Sequence, residues 1–276
     1  MKIFNFSLFA IMFFVSTVFV CGQDVLSITE YDFPYVAGYE AGSTRAPMAS
    51  YNINLNFPSK RLYLTSMTFE AIGDYESDVE LEIGDVSISS PTKGQLVSTD
   101  SVRQGNQYVV TLGPSKFGYP LVSDNFQLSL HADIPDRAIG STIGFKLSSY
   151  VLNGRQWYPA PPQGITVRPF QVKPEYSSGF QPVGDQILNF KRRDSDRSFQ
   201  IESTNAGSFW FIGYATWYGP GFNTTSSTGG ISPGQRSRIA FYNNHINAGT
   251  YEGCLVLANG ETGIARTSRV RVEIAY

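Results

Sequence analysis

Two histidines and two cysteines in 276 residues leave general-base, nucleophile and metal chemistry few places to start. His131 and Asp133, two apart, share one face of an extended segment, the first hint of a catalytic pair. A Ser-His-Asp site also needs a nucleophile and an oxyanion hole. The sequence has no Gly-x-Ser-x-Gly elbow, no His-Glu-x-x-His pair and no Cys-x-x-Cys. His131 therefore reads as an outward-facing surface residue and His245, in YNNHINAG, as part of a turn. Cys254 sits in a run whose two faces, Leu255 and Leu257 against Cys254 and Val256, are both apolar, which predicts a buried, inert thiol. No catalytic residue, metal ligand or cofactor is expected, and the chain reads as a non-enzyme.

Two other clusters raise binding chemistry. In GDYESDVELEIGD the carboxylates Asp74, Glu76, Asp78, Glu80 and Glu82 alternate with Val79, Leu81 and Ile83, which predicts an acidic strand face. Carboxylates two apart on a strand stand about 7 Å from one another and do not converge on one ion without a loop. A solvated edge is the simpler reading, with calcium binding left open. Phe209, Trp210, Phe211, Tyr214, Trp217, Tyr218 and Phe222 form an aromatic cluster; if Phe209 and Phe211 face inward, Trp210 faces out. Exposed rings stack on sugars, so Trp157, Tyr158, Trp210 and Trp217 are the candidate carbohydrate-binding residues.

What must position these groups is a set of strands. Tyr51, Ile53, Leu55 and Phe57 alternate with asparagines, and period two recurs in Leu62 and Leu64, Met67 and Phe69, Tyr108 to Leu112, Phe126 to Leu130 and Ile143 to Leu147. Gly, Pro, Asn, Asp and Ser punctuate the runs. The expected class is all-β: two tandem antiparallel β-sandwich, immunoglobulin-like domains after a signal peptide. Arg168 to Gln186, with three prolines, reads as an interruption between them. The expected divisions are a signal peptide (1–22), a weakly patterned lead-in that is mobile or packed along a sheet edge (23–49), a first sandwich (50–173) and a second (174–276).

The segment Ser226 to Leu257 resembles bacterial extracellular immunoglobulin-like modules of the Hydin-type and BACON-type group. The resemblance lies in the turn at Pro233 and Gly234, the strand with Ile239 and Phe241, and Gly249-Thr250-Tyr251 opening the next strand. It implies an exposed sandwich in which Tyr251 locks a corner with ring and hydroxyl.

The apolar run Leu8 to Val20 after Lys2 reads as a secretory signal cleaved after Gly22. The bulky residues before Cys21 argue against a lipid anchor there. Later runs are too short for a membrane helix. Net charge −2 with scattered basic residues gives no grip on nucleic acid. The expected protein is secreted or at the cell surface and non-catalytic, with structural or adhesive contacts to other surface proteins or glycans. The alternatives are a carbohydrate-binding module protein and a jelly-roll enzyme using two carboxylates.

Overall fold

The structure is a computed structural model, which describes residues 26–31, 36–55, 62–85, 96–113, 118–121, 125–159, 168–183, 187–191, 196–203, 211–218, 222–224, 227–232, 234–243 and 248–275. In chain order the strands are β1 (Leu26–Tyr31), β2 (Gly38–Glu40), β3 (Ala46–Leu55), β4 (Leu62–Gly73), β5 (Leu81–Asp85), β6 (Ser98–Gln104) and β7 (Gln107–Leu112). There follow β8 (Tyr119–Leu121), β9 (Asn125–Ala132), β10 (Thr142–Leu152), β11 (Arg155–Trp157), β12 (Phe170–Lys173), β13 (Phe180–Val183) and β14 (Ile187–Lys191). The last seven are β15 (Asp196–Ser203), β16 (Phe211–Tyr218), β17 (Phe222–Thr224), β18 (Ser227–Ile231), β19 (Arg236–Asn243), β20 (Gly249–Asn259) and β21 (Ile264–Ala275). Among the described residues the one helical element is a 3-10 turn at Asp136–Ala138, so the fold is all-β as expected.

Alternation explains which strand faces meet. Tyr51 and Ile53 on β3, Met67 and Phe69 on β4, Tyr108 and Val110 on β7 and Phe126 and Leu128 on β9 are all buried. The β1-β3-β9-β5 sheet packs on the β10-β4-β7 region of a long sheet. The rings of Tyr51 and Phe69 come within 6.0 Å, and those of Tyr119 and Phe126 meet edge to face at 5.8 Å. The phase break between Leu64 and Met67 is a bulge: Thr65 is unpaired on β4 and Ser148 on β10. Each bulged hydroxyl donates to the facing carbonyl, Thr65 to Val151 and Ser148 to Thr68.

The long sheet runs β18-β16-β20-β21-β2-β12-β10-β4-β7-β6, with β14 on β21, β11 on β10 and β8 on β4. Short β2 joins its two parts, pairing parallel with both β12 and β21. Gly38 permits this close approach, because a Cβ there would lie 2.4 Å from the Gln171 carbonyl oxygen. A third sheet, β13-β15-β19-β17, contributes Ile239 and Phe241 to a second core with Phe190, Leu255, Leu257, Val270, Val272 and Ile274.

Strand β20 serves both cores. Leu255 and Leu257 belong to the second, while Cys254, Val256 and Ala258 on the opposite face join the core of the first half. The two halves therefore meet through a packed apolar face as well as through a shared sheet.

Two expectations about connecting segments are refined. The proline-rich stretch Arg168 to Gln186 does not interrupt pairing throughout: it holds β12 and β13, with the turn at residues 174–179 between them. The weakly patterned lead-in contains β1 at a sheet edge and β2 inside the long sheet. Its patterning is weak because a three-residue strand such as β2 carries too few side chains to show a period.

Candidate functional site

The polar groups singled out in the sequence converge where the two halves join. On β9, Leu128 and Leu130 face the first core, and Ser129 and His131 face the other way. That second face is also covered: His131 is 2% exposed, which corrects the surface reading. The cover is the Ser43–Arg45 turn leading into β3. The Arg45 carbonyl lies 3.0 Å from His131 Nδ1; a carbonyl only accepts, so Nδ1 carries the proton. Arg45 holds a left-handed backbone (φ 51), and its N–H donates to Asp133 Oδ1 at 2.6 Å.

The same turn is pinned to the second half. The Thr44 carbonyl accepts from Thr267 Oγ1 at 2.6 Å and lies 3.8 Å from Cys254 Sγ; Arg269 N–H donates to Thr44 Oγ1 at 3.2 Å. Charges complete the knot. Arg45 Nε approaches Glu82 Oε2 at 2.9 Å, close enough for an ion pair but off the line of a hydrogen bond. Arg269 lies 3.5 Å from both Glu82 and Asp133.

This environment decides the chemistry. Burial, with the nearby Arg45 cation, holds His131 down at a pKa of about 3, so the ring is neutral and acts as a structural donor. Burial pushes the Cys254 thiol up to about 12, far from the range of a nucleophile. Burial also raises the Glu82 carboxyl, against the pull of Arg45 and Arg269. In the native protein at pH 7.5, Cys254 is expected to resist Ellman's reagent and to react fully only in denaturant. Rapid native labelling would contradict its place in the joint.

A second clasp ties the 174–179 turn to the halves it connects. Glu40, fully buried, accepts the Ser178 N–H at 2.5 Å and pairs with Arg266 at 3.1 Å. Arg266 also reaches Glu175 at 3.5 Å, and Asn259 Nδ2 donates to the Ser178 carbonyl at 3.1 Å. Glu40→Ala leaves a buried N–H and a guanidinium short of an acceptor, and is expected to cost about 2 to 4 kcal/mol in urea unfolding. A loss under about 0.5 kcal/mol would mean the clasp is incidental.

The acidic run does not form one strand face. Only Leu81–Asp85 is strand, and the bends at residues 74–80 send the carboxylates to different partners. Asp74 accepts from Thr142 N–H at 2.5 Å and from its hydroxyl at 2.9 Å, bonds that hold its carboxyl below the usual range. Asp78 pairs with Arg103 at 3.2 Å, and Glu82 enters the joint. Among the described residues, no three His, Cys, Asp or Glu side chains are grouped to hold a metal ion.

Of the candidate sugar-binding residues, Trp157 and Tyr158 lie wholly among the described residues. The hairpin from β10 into β11 turns at Asn153 and Gly154 (φ 49 and 75), the left-handed pair a two-residue turn needs, and so places Trp157 against Tyr150. Trp157 packs partly on the first core, and its indole N–H has no hydrogen-bond partner among the described residues. Tyr158 beside it is 71% exposed. Trp210 lies outside the described residues. Trp217 lies on β16 opposite Leu255, with its side chain outside the description. Tyr251, at the predicted corner, is half-buried against the second core.

No family model matches the chain, and no curated protein matches it. Solved structures give low-scoring likenesses. A DUF4466 family protein from Parabacteroides merdae is similar at 10% identity and TM-score 0.34, over 90% of this chain and 99% of that one. The D0-D1 domain of intimin is similar at 6% identity and TM-score 0.27, over 90% and 97%. The periplasmic chaperone SfaE is similar at 7% identity and TM-score 0.29, over 35% of this chain and 57% of that one. Among the described residues no helix is long and apolar enough to cross a membrane.

Proposed function

We propose that this chain is an exported, non-catalytic structural or adhesion protein that presents β-sandwich surfaces to other surface proteins or glycans. One observation carries the reading: the side chains best equipped for chemistry, His131, Cys254, Glu82 and Arg45, are committed to holding the two halves together. A buried neutral ring and a thiol held protonated are joint parts rather than catalytic groups. The proposed organisation keeps the signal peptide at 1–22 and two immunoglobulin-like modules divided near residue 174. Assignment of the second module to the Hydin-type and BACON-type group draws support from β19 and β20, which fall on the two strands of the resemblance.

A membrane-impermeant cross-linker on intact source cells is the test. It is expected to join the chain to another surface protein or to a second copy. A chain found only inside the cell, or one that turns over a polysaccharide, overturns the proposal.

Exposed Tyr158 beside half-buried Trp157 favours glycans as a second class of partner. On a glycan array, Trp157→Ala and Tyr158→Ala are expected to abolish any signal the unmodified protein gives; no signal from the unmodified protein removes this reading.

A further inference from the structure

We propose that the joint between the two halves is an acid-released latch, in which His131 is the trigger and the Ser43–Arg45 turn is the bolt. The turn holds both sides at once. It meets the first half through the Arg45 carbonyl on His131 and the Arg45 N–H on Asp133. It meets the second through Thr44 on Thr267 and Arg269, and through Ser43 Oγ, which accepts the Thr267 N–H at 3.3 Å. Opening the turn uncovers the Cys254 face of β20 without breaking either sandwich's own sheet pairs.

The charges around His131 set the direction. Arg45 faces it from the turn, Glu82 stands directly opposite on β5, and Asp133 follows just past the end of β9; behind them Arg269 on β21 reaches Glu82 and Asp133, and Cys254 on β20 meets Thr44. Glu80 lies just before β5 on the Glu82 side. Facing β3 contributes Pro47, which has no charge. With a neutral imidazole, buried Arg45 is matched by Glu82, while Arg269, Asp133 and Glu80 lie toward solvent. A proton on the ring adds a positive charge beside Arg45, and these two side chains are shielded from water, at 2% and 4% exposed. An opened joint lets His131 take that proton at its ordinary pKa of 6.5, so acid draws the joint open. Glu82 acts the other way, because its raised pKa makes its own proton easier to accept when the joint is closed, and it offsets part of the effect.

Cys254 reports the state of the latch. Labelling with 4,4′-dithiodipyridine, which reacts in acid, is followed at the Cys254 peptide by mass spectrometry and normalised to the urea-unfolded chain at each pH. Hydrogen exchange of β4, β7, β10 and β19 is recorded alongside. Between pH 7 and 4.5 the normalised rate is expected to rise by tens of fold, the size set by a histidine moving from about 3 to 6.5. The four strands should stay far better protected than Cys254 at both pH values, although their own protection declines with the global stability. His131→Phe is expected to abolish the rise. A rate flat with pH, or one no faster than the opening of the four strands at the same pH, overturns the proposal. Should the variant not fold, the unmodified protein's imidazole NMR titration decides: a His131 ring still neutral at pH 5 supports the latch, and one titrating near 6.5 overturns it.

Discussion

Replacing Glu82 with alanine is expected to lower the free energy of unfolding by about 3 to 5 kcal/mol in a urea titration at pH 7. Arg45 is only 4% exposed, so the guanidinium cannot recover in water what the carboxylate supplied. The loss is mostly the cost of an uncompensated buried charge, not the net worth of the pair. A double variant, Arg45→Met with Glu82→Leu, is accordingly expected to recover much of the loss, since it removes both desolvated charges. A single variant within about 1 kcal/mol of the unmodified protein would show that water enters the joint and screens Arg45.

The second large effect is on pH. The folded chain holds His131 near 3, while an ordinary histidine binds its proton at 6.5, so between those values the unfolded state carries a proton the folded state refuses. The stabilisation is complete above about 6.5 and is lost as pH falls toward 3, with a limit on the order of 4 to 5 kcal/mol. At pH 4.5 the His131 share already lost is about 2 to 3 kcal/mol. Glu82 opposes it, because a carboxyl whose folded pKa is raised favours the folded state as pH falls. Asp74, with its lowered pKa, subtracts stability only as pH falls below about its ordinary 3.8 and so lies below the pH 7 to 4.5 comparison. Urea unfolding at pH 7 and 4.5 should show the drop, and His131→Phe should flatten it; equal drops in both proteins would place the acid sensitivity elsewhere.

The strands were legible because their inner faces carry large apolar residues at every second position, from Tyr51 and Ile53 to Ile143 and Phe145. Period two says which face turns inward, but not whether something covers the other. On β20 the cover is written in the residues, since Cys254 and Val256 are as apolar as Leu255 and Leu257. On β9 it is not: Ser129, His131 and Asp133 look like a wet face, yet His131 is buried under a turn 86 residues away and buried Ser129 donates to the Ala49 carbonyl on β3, contacts no local pattern encodes. The acidic run misled for a related reason. Alternating carboxylates suggest one extended face, but Asp74 is drawn to Thr142 and Asp78 to Arg103, and the backbone bends between them. Short β2 was hidden because Gly38, Tyr39 and Glu40 offer too few side chains for a period to register.

Strand β21 accepts β2 near its start and β14 near its end, and Arg266 on it closes onto Glu40, 226 positions earlier. Such distant pairing is slow to form, because nearly the whole chain must be looped before the contact returns any free energy. While the polypeptide emerges from a ribosome or a translocation pore, the Gly38–Glu40 ribbon waits with one rim open until the final strand arrives. Interruption of synthesis in that interval would release a product with an unsatisfied backbone edge, prone to clumping with its own kind.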